Sequence, residues 1–415
     1  MERLVAIHPV GFIKALSMAL ELSSTGLSQH HCRTAIIASK IGHAVGLREV
    51  EQQTLIYASL LHDVGAASDW EEKHQIIHLE AGMPVYHHAE VGYLLLKDSP
   101  QLGALATPIR HHHDRFRGGN PSGLQGTDIP LLSRIIHLAD RMEILIRDDS
   151  HILEQSCIIL KQLQGLSHTY FDPELLHIVE QLAKRESFWL DLTTAAFHQK
   201  FFANLNFFGK LFFEVDDLLH VAEIFATVID RTSHYTAIHS RSTARVAVFL
   251  ARRCGYSVEE QKIVKLAALL HDLGKLAVPN SILDKPGPLT AAEFSLVKQH
   301  PYFSYRILQQ INGFGLIASW VGQHHEKLDG QGYPFGDEVN NIRLGSKILA
   351  VSDIFSALLE DRSYRKAMEL SEVKTLMRSM VSDRKLDEFL VEALLQDAAY
   401  VNGLIEPNEM AAAHE

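Results

Sequence analysis

A chain of 415 residues is long enough for two or three domains, each with a core of its own, and two is the working number. With 47% apolar and 21% charged residues, the balance is that of a folded globular protein and excludes a long disordered tail. A formal net charge of -11 disfavours a non-specific grip on a nucleic-acid polymer or an anionic membrane face, and leaves room for a small anionic ligand in a local cationic pocket.

Along the chain, the stretch MERLVAIHPVGFIKALSMALEL has the apolar bias of a signal peptide, but His8, Pro9 and Lys14 interrupt it, and it reads as an amphipathic helix. No run approaches the roughly 18 apolar residues of a membrane span. Cys32, Cys157 and Cys254 lie far apart without a Cys-x-x-Cys pair, which argues against a disulfide framework or a cysteine zinc site and fits a reducing cytoplasm. Residues 186–213 carry Phe188, Trp189, Phe197, Phe201, Phe202, Phe207, Phe208, Phe212 and Phe213, too aromatic for a flexible linker, so these rings are expected in buried helix faces between domains or in a dimer interface.

Beyond them, His239, Thr243, Val246, Ala247 and Leu250 recur at helical spacing, as do Ile263, Leu266, Ala267, Leu270 and His271, with Gly274 as a helix stop. Thr290 and Glu293 form a capping box, and Pro301 after His300 requires a kink or restart. Ile348, Val351, Phe355 and Leu358 form a further stripe on the helix that carries Asp353. The fold class expected is all-α.

Histidine occurs 25 times, often beside Asp, Glu or another His. LLHDVG at 60–65 and LLHDLG at 269–274 are nearly the same string, and the likeness extends outward. The second copy presents His239, His271, Asp272, His300, His324, His325 and Asp353; the first presents His30, His62, Asp63, His88, His112, His113 and Asp140. In both copies the first His precedes the His-Asp pair by 32 residues, and the third His precedes the His-His pair by 24. The final Asp follows at 27 and 28. Seven polar positions in one order argue for an internal duplication, giving tandem helical domains at 1–205 and 206–415. Within the run 111–113, spacing selects His112 and His113 over His111.

Clustered imidazoles and carboxylates are what a transition-metal pair requires, and two metals can activate a water and clamp phosphoryl oxygens. HDLGK at 271–275 followed by HHEKLDGQGYP at 324–334 is similar to the signature of the HD-GYP domain, a branch of the HD phosphohydrolase superfamily. The resemblance covers residues 220–400 or so. It implies an all-helical fold around a binuclear iron or manganese-type centre that hydrolyses cyclic di-GMP to a linear dinucleotide or mononucleotides; some relatives prefer 3',3'-cyclic GMP-AMP. It places His239, His271 and Asp353 on one metal and His300, His324 and His325 on the other, with Asp272 as the bridge. Lys275 would contact the scissile phosphate, Arg362 and Arg365 would bind phosphate, and Asp329, Gly332, Tyr333 and Pro334 would line the substrate loop or offer a surface to signalling partners. A homodimer is compatible with it. Where some members carry a third-metal carboxylate, one helical turn before the first His, this chain has Tyr235, so two metals are expected.

The first copy keeps the ligand set and loses the cations: Lys275 aligns with Ala66, Arg362 with Asp149 and Arg365 with Ile152, and its loop reads HHDRFRGGNP. It is therefore expected to be metal-competent yet inactive on cyclic dinucleotides, serving regulation or dimerisation; a second hydrolase using Arg115 or Arg117 is the rival. For the whole chain, the alternatives are an HD phosphohydrolase of another nucleotide and a non-catalytic dinucleotide sensor.

Overall fold

The computed structural model describes residues 7–23, 26–27, 29–66, 85–205, 212–233, 238–363 and 365–405. Among these the named regular elements are helical, apart from a ribbon of two-residue strands, Leu22–Ser23 and Gly26–Leu27. Two compact units form. One holds His8–Glu21 and Leu27–Phe212; the other holds Leu22–Gly26 and the chain from Phe213, together with Ile7, whose backbone exchanges hydrogen bonds with Phe213 at 2.9 and 2.7 Å. The division thus falls a little beyond the 205/206 boundary expected from sequence.

The N-terminal unit contains α1 (Pro9–Leu20), α2 (His30–Val45), α3 (Glu49–Leu60), α4 (Val85–Leu96), α5 (Gly103–Arg110), α6 (Leu131–Ile144), α7 (Ile152–Gly165), α8 (Pro173–Ala183), α9 (Glu186–Thr193) and α10 (Ala195–Ala203). The C-terminal unit contains α11 (Val215–Asp230), α12 (His239–Arg253), α13 (Val258–Leu270), a 3-10 turn (Leu273–Ala277), α14 (Asn280–Leu283), α15 (Ala291–Lys298), α16 (His300–Leu308), α17 (Gly315–Gly322), α18 (Leu344–Leu359), α19 (Leu370–Ser382), α20 (Glu388–Gln396) and α21 (Ala398–Ile405). The duplication is visible in the packing. In one unit α2 lies against α3 and α6, and α4 against α5; in the other α12 lies against α13 and α18, and α16 against α17.

The sequence stripes become these contacts. Val246, Ala247 and Leu250 of α12 are buried against Leu266, Ala267 and Leu270 of α13, and Ile348, Val351 and Phe355 of α18 close the same core. Each large apolar side chain withdrawn from water contributes about 1.5–3 kcal/mol. Ser257 and Thr290 begin their helices with reciprocal capping boxes to Glu260 and Glu293. The Pro301 restart occurs as expected, with α15 ending at Lys298 and α16 starting at His300. Helix α1 starts on Pro9 with His8 as its cap, and is buried over most of its circumference, including Phe12, Leu16 and Leu20. No described helix is long and apolar enough to cross a membrane.

The aromatic run resolves differently from expectation. Phe188 and Trp189 are buried on α9, which packs against α7, α8 and α2 inside the N-terminal unit's own core. Phe202 is also buried, with Lys14 over its ring, whereas Phe212 is half exposed. Phe207 and Phe208 lie outside the described residues.

Gly274 serves another purpose than the helix stop foreseen for it. Helix α13 ends at Leu270, and a Cβ on Gly274 would fall 2.1 Å from the carbonyl oxygen of His300. Gly65, its counterpart, would place a Cβ 2.0 Å from the carbonyl oxygen of His88. Each glycine lets the turn after the His-Asp pair press onto the backbone that bears the third His. Gly274→Ala and Gly65→Ala should each destabilise their unit by about 1–3 kcal/mol through forced backbone movement, read as a lowered thermal midpoint; an unchanged midpoint would contradict this close approach.

Candidate metal centre

A helix leaves its last carbonyls without partners, and in the C-terminal unit histidines just beyond helix ends supply them. His271 Nδ1 donates to Ala268 O of α13 at 2.7 Å, His300 Nδ1 to Val297 O of α15 at 2.7 Å, and His324 Nδ1 to Val321 O of α17 at 2.6 Å. With the proton on Nδ1, the neutral rings of His300 and His324 each leave a lone pair on Nε2, whereas His271, raised because burial is outweighed by Asp272, also holds a proton there in the metal-free protein. His300 Nε2 and His324 Nε2 face each other at 3.3 Å, and neither has a proton to give the other. Converging lone pairs of this kind fit a shared cation.

His239 heads α12. Its Nδ1 donates to Glu360 Oε2 at 2.9 Å, and its Nε2 lies 3.0 Å from Asp353 Oδ1 and 3.8 Å from Asp272 Oδ2. His271 Nε2 lies 3.2 Å from the same Asp272 oxygen, while the other, Oδ1, lies 3.3 Å from His300 Nε2. Asp272 therefore turns one oxygen to each of two groups. The ligand atoms of His239, His271 and Asp353 fall within 4.8 Å of one another, and so do those of His300, His324 and His325. This inventory fits two metals with a carboxylate between them.

The charges follow from the packing. Burial drives His300 down to about 3 and His324 down to about 4, so both stay neutral and available as ligands. Burial alone would raise the Asp272 carboxyl, but the charges of His271 and Lys275 prevail and hold it well below the carboxylate range. His239 is raised to about 9: burial and Arg362 oppose its proton, and Glu360 and Asp353 outweigh them. Lys275 Nζ donates to Asp272 Oδ2 at 2.6 Å from a partly exposed position.

The signature loop is built around buried Glu326, whose carboxylate accepts from the backbone nitrogens of Phe335, Gly336 and Asp337 at 2.7, 3.2 and 3.1 Å. Asp329 accepts from Gln331 N at 2.8 Å, and a Cβ on Gly332 would lie 2.4 Å from Glu326 Cα. Tyr333 lays its ring on His325, with centroids 4.9 Å apart, and precedes Pro334. Burial, with Asp353 and Asp272, raises the Tyr333 hydroxyl, so it stays protonated. Arg362 Nη2 sits 3.4 Å from Glu360 Oε2, beside the His239 ring. Arg365 instead donates to the carbonyls of Ala357, Leu358 and Lys366 at 2.8, 3.0 and 2.9 Å, closing the end of α18. Tyr235 lies outside the described residues.

The N-terminal unit repeats the plan. His62 Nδ1 donates to Ser59 O at 2.8 Å, and His112 Nδ1 to Ile109 O at 2.6 Å. Asp63 Oδ2 is 3.2 Å from His62 Nε2, and its Oδ1 is 3.4 Å from His88 Nε2. His113 Nε2 is 3.1 Å from His88 Nε2, and His30 Nε2 is 3.3 Å from Asp140 Oδ1. His111 turns away to Asp114, so the register with His112 and His113 in the cluster is the one formed.

Several site residues escaped the sequence reading. His31 joins the N-terminal cluster, 3.5 Å from Asp63 Oδ2, where the second copy has Ser240. Glu143 hydrogen-bonds His30 Nδ1 as Glu360 does His239, from a different repeat position. Nine residues before the first His, both copies bury an acid that caps the following helix: Glu21 receives His31 N, and Asp230 receives Ser240 N. That repeated acid was open to detection by spacing.

The HD domain family matches residues 14–175 and 222–390, one match per unit. A 3'3'-cGAMP-specific phosphodiesterase 1 of Vibrio cholerae is 31% identical over 92% of this chain and 90% of its own. A cyclic di-GMP phosphodiesterase response regulator of Xanthomonas campestris is 36% identical over 42% of this chain and 46% of its own. Among solved structures, a cyclic GMP-AMP specific phosphodiesterase of V. cholerae superposes with a TM-score of 0.67 and 26% identity, covering 98% of this chain and 100% of that one.

Because His239 holds a proton up to about pH 9 in the metal-free protein, Mn²⁺ uptake at neutral pH should release protons, and apparent affinity should rise with pH toward that value. Calorimetry in buffers of different ionisation enthalpy reads both effects, and uptake without proton release would contradict the His239 assignment. Glu360→Gln should lower metal affinity about 10–100-fold in chelator competition.

Proposed function

The chain belongs to the HD domain family, and from that premise we propose that the C-terminal unit is its catalytic half, an HD-GYP domain with a binuclear centre. The chain is a metal-dependent phosphodiesterase that hydrolyses a cyclic dinucleotide. The observation that carries the assignment to this unit is Asp272, which turns one oxygen to each ligand group while Lys275 stands on it.

His239, His271 and Asp353 would hold one metal, His300, His324 and His325 the other, with Asp272 between. When bound, two metals of iron or manganese type would make water a nucleophile at neutral pH and offset charge on the phosphoryl oxygens. The chain's own residues do the rest. Lys275 offers its ammonium to the phosphate at the mouth of the site, where charge grows in the transition state. Arg362 presents a guanidinium beside His239. Arg365 holds the end of α18 and exchanges backbone hydrogen bonds with Arg362, so it positions that residue. Tyr333, on His325, fixes the ring and shields that side, and Glu326 with Gly332 keeps the loop in shape.

The preferred substrate is 3',3'-cyclic GMP-AMP, a reading supported by the relative that matches both halves of the chain. The free cysteines Cys32, Cys157 and Cys254 support action in the reducing cytoplasm. Phe335, exposed on the loop, is open to a signalling partner. The N-terminal unit, with Ala66, Asp149 and Ile152 at the cation positions, holds metal without cleaving cyclic dinucleotides.

Metal-loaded protein should cleave 3',3'-cyclic GMP-AMP faster than cyclic di-GMP, with products separated by chromatography. His271→Ala with Asp272→Ala should abolish turnover, and Lys275→Ala should slow it about 100–1,000-fold. Full turnover in the first variant would exclude this centre. His62→Ala with Asp63→Ala should keep turnover; its complete loss in a folded protein would make the N-terminal unit more than accessory.

A further inference from the structure

The N-terminal cluster has its own cation, which the repeat alignment conceals. By alignment that copy has lost every phosphate-binding position. Yet Arg141, directly after the candidate ligand Asp140, is only 5% exposed. Its Nε donates to Asp140 Oδ2 at 3.1 Å, while Asp140 Oδ1 faces His30 and His62 at 3.3 and 3.7 Å. Nη1 and Nη2 are both buried and have no hydrogen-bond partner among the described residues. The C-terminal copy has Ile354 at this position.

A guanidinium is always charged and carries its donors in a planar fork. Burying it with the outer half of that fork unpaired is costly unless something else accepts those protons. The carboxylate it touches can take only the Nε side. Through Asp140 the guanidinium is tied to the cluster, one residue along α6 from a candidate ligand, with its outer edge buried and unpaired. Around the bridge, neutral His31 stands against Asp63 Oδ2, where the C-terminal copy sets Lys275 against Asp272. A metal site with one buried guanidinium beside it fits an anion with several oxygens in bidentate reach.

We propose that the N-terminal cluster is a second metal site, whose ligand is a phosphomonoester held by the bound metals and by Arg141 Nη1 and Nη2. The proposal rests on the reading that this cluster holds metal. One guanidinium and one metal centre match a single terminal phosphate and fall short of the two ring phosphates of a cyclic dinucleotide. Cleaving a ring phosphodiester with water leaves a hydroxyl on one side and a phosphomonoester on the other. The reaction of the C-terminal unit therefore releases the class of ligand that the N-terminal unit is built to hold.

The test uses the full chain with His271→Ala, Asp272→Ala and His324→Ala, so that the remaining intact cluster is N-terminal. Mn²⁺ is counted by elemental analysis, and inorganic phosphate, 5'-GMP and cyclic di-GMP are titrated by calorimetry. Retained Mn²⁺, with binding of inorganic phosphate or 5'-GMP that stops when the metal is stripped, is the expected result. Tighter binding of 5'-GMP than of inorganic phosphate identifies a nucleotide ligand, and equal binding identifies phosphate alone. Adding Arg141→Met should leave the Mn²⁺ and weaken the anion about tenfold or more, with partial recovery in Arg141→Lys. Retained Mn²⁺ without anion binding, an unchanged affinity in Arg141→Met, or tighter binding of cyclic di-GMP overturns the proposal. Loss of Mn²⁺ overturns the metal reading beneath it. Should Arg141→Met fail to fold by circular dichroism, the metal dependence in the parent chain and the affinity of Arg141→Lys decide.

Discussion

The structure depends on one constraint: a neutral histidine that satisfies an orphaned carbonyl at a helix end with Nδ1–H leaves Nε2 as a bare lone pair, and a charged one frees the same position when it gives up its second proton. His300 and His324 do this in one unit and His112 in the other, while His271 and His62, anchored in the same way, turn Nε2 to Asp272 and Asp63. Packing the helix ends together then forces lone pairs into one small volume. Without a cation that volume is electrostatically unfavourable, and with one it becomes the best-ligated point in the unit. Gly65 and Gly274 belong to the same constraint, since the convergence needs backbone approaching backbone where a methyl group would collide.

The two units keep this scaffold and differ in the charge around it. The C-terminal cluster has Lys275 on Asp272 and Arg362 beside Glu360 and His239. The N-terminal cluster trades Lys275 for neutral His31 and carries its cation inside, as Arg141. Even the acid behind the first His has moved, from Glu143 on α6 to Glu360 after α18, while its bond to Nδ1 is preserved. A demand for a basic, oriented imidazole can be met from either side of a helix end, so the geometry is maintained while the sequence position is not.

This explains which parts of the site were legible in the sequence. The fourteen ligand candidates could be read because duplication printed them twice at matching intervals. The helices could be read from periodic apolar stripes and from the Thr290–Glu293 box. Arg141 and His31 could not, because each stands beside a predicted ligand and looks like a solvated neighbour until the helix is packed. Glu326 looked like one more charge in a loop and is instead the acceptor for three backbone nitrogens. Arg365 looked like a phosphate ligand and spends its fork on helix-end carbonyls. In these cases the deciding information is which backbone group lies opposite, and that is set by tertiary contacts.

The central claim is that the histidine nitrogens converging on either side of Asp272 define two metal positions. The most direct measurement is an anomalous-scattering map from crystals of the manganese-loaded chain. The account predicts two peaks in the C-terminal unit: one against Asp272 Oδ2 among His239, His271 and Asp353, and one against Oδ1 among His300, His324 and His325. A single peak, a third peak, or peaks that leave Asp272 without a metal on each oxygen would contradict it.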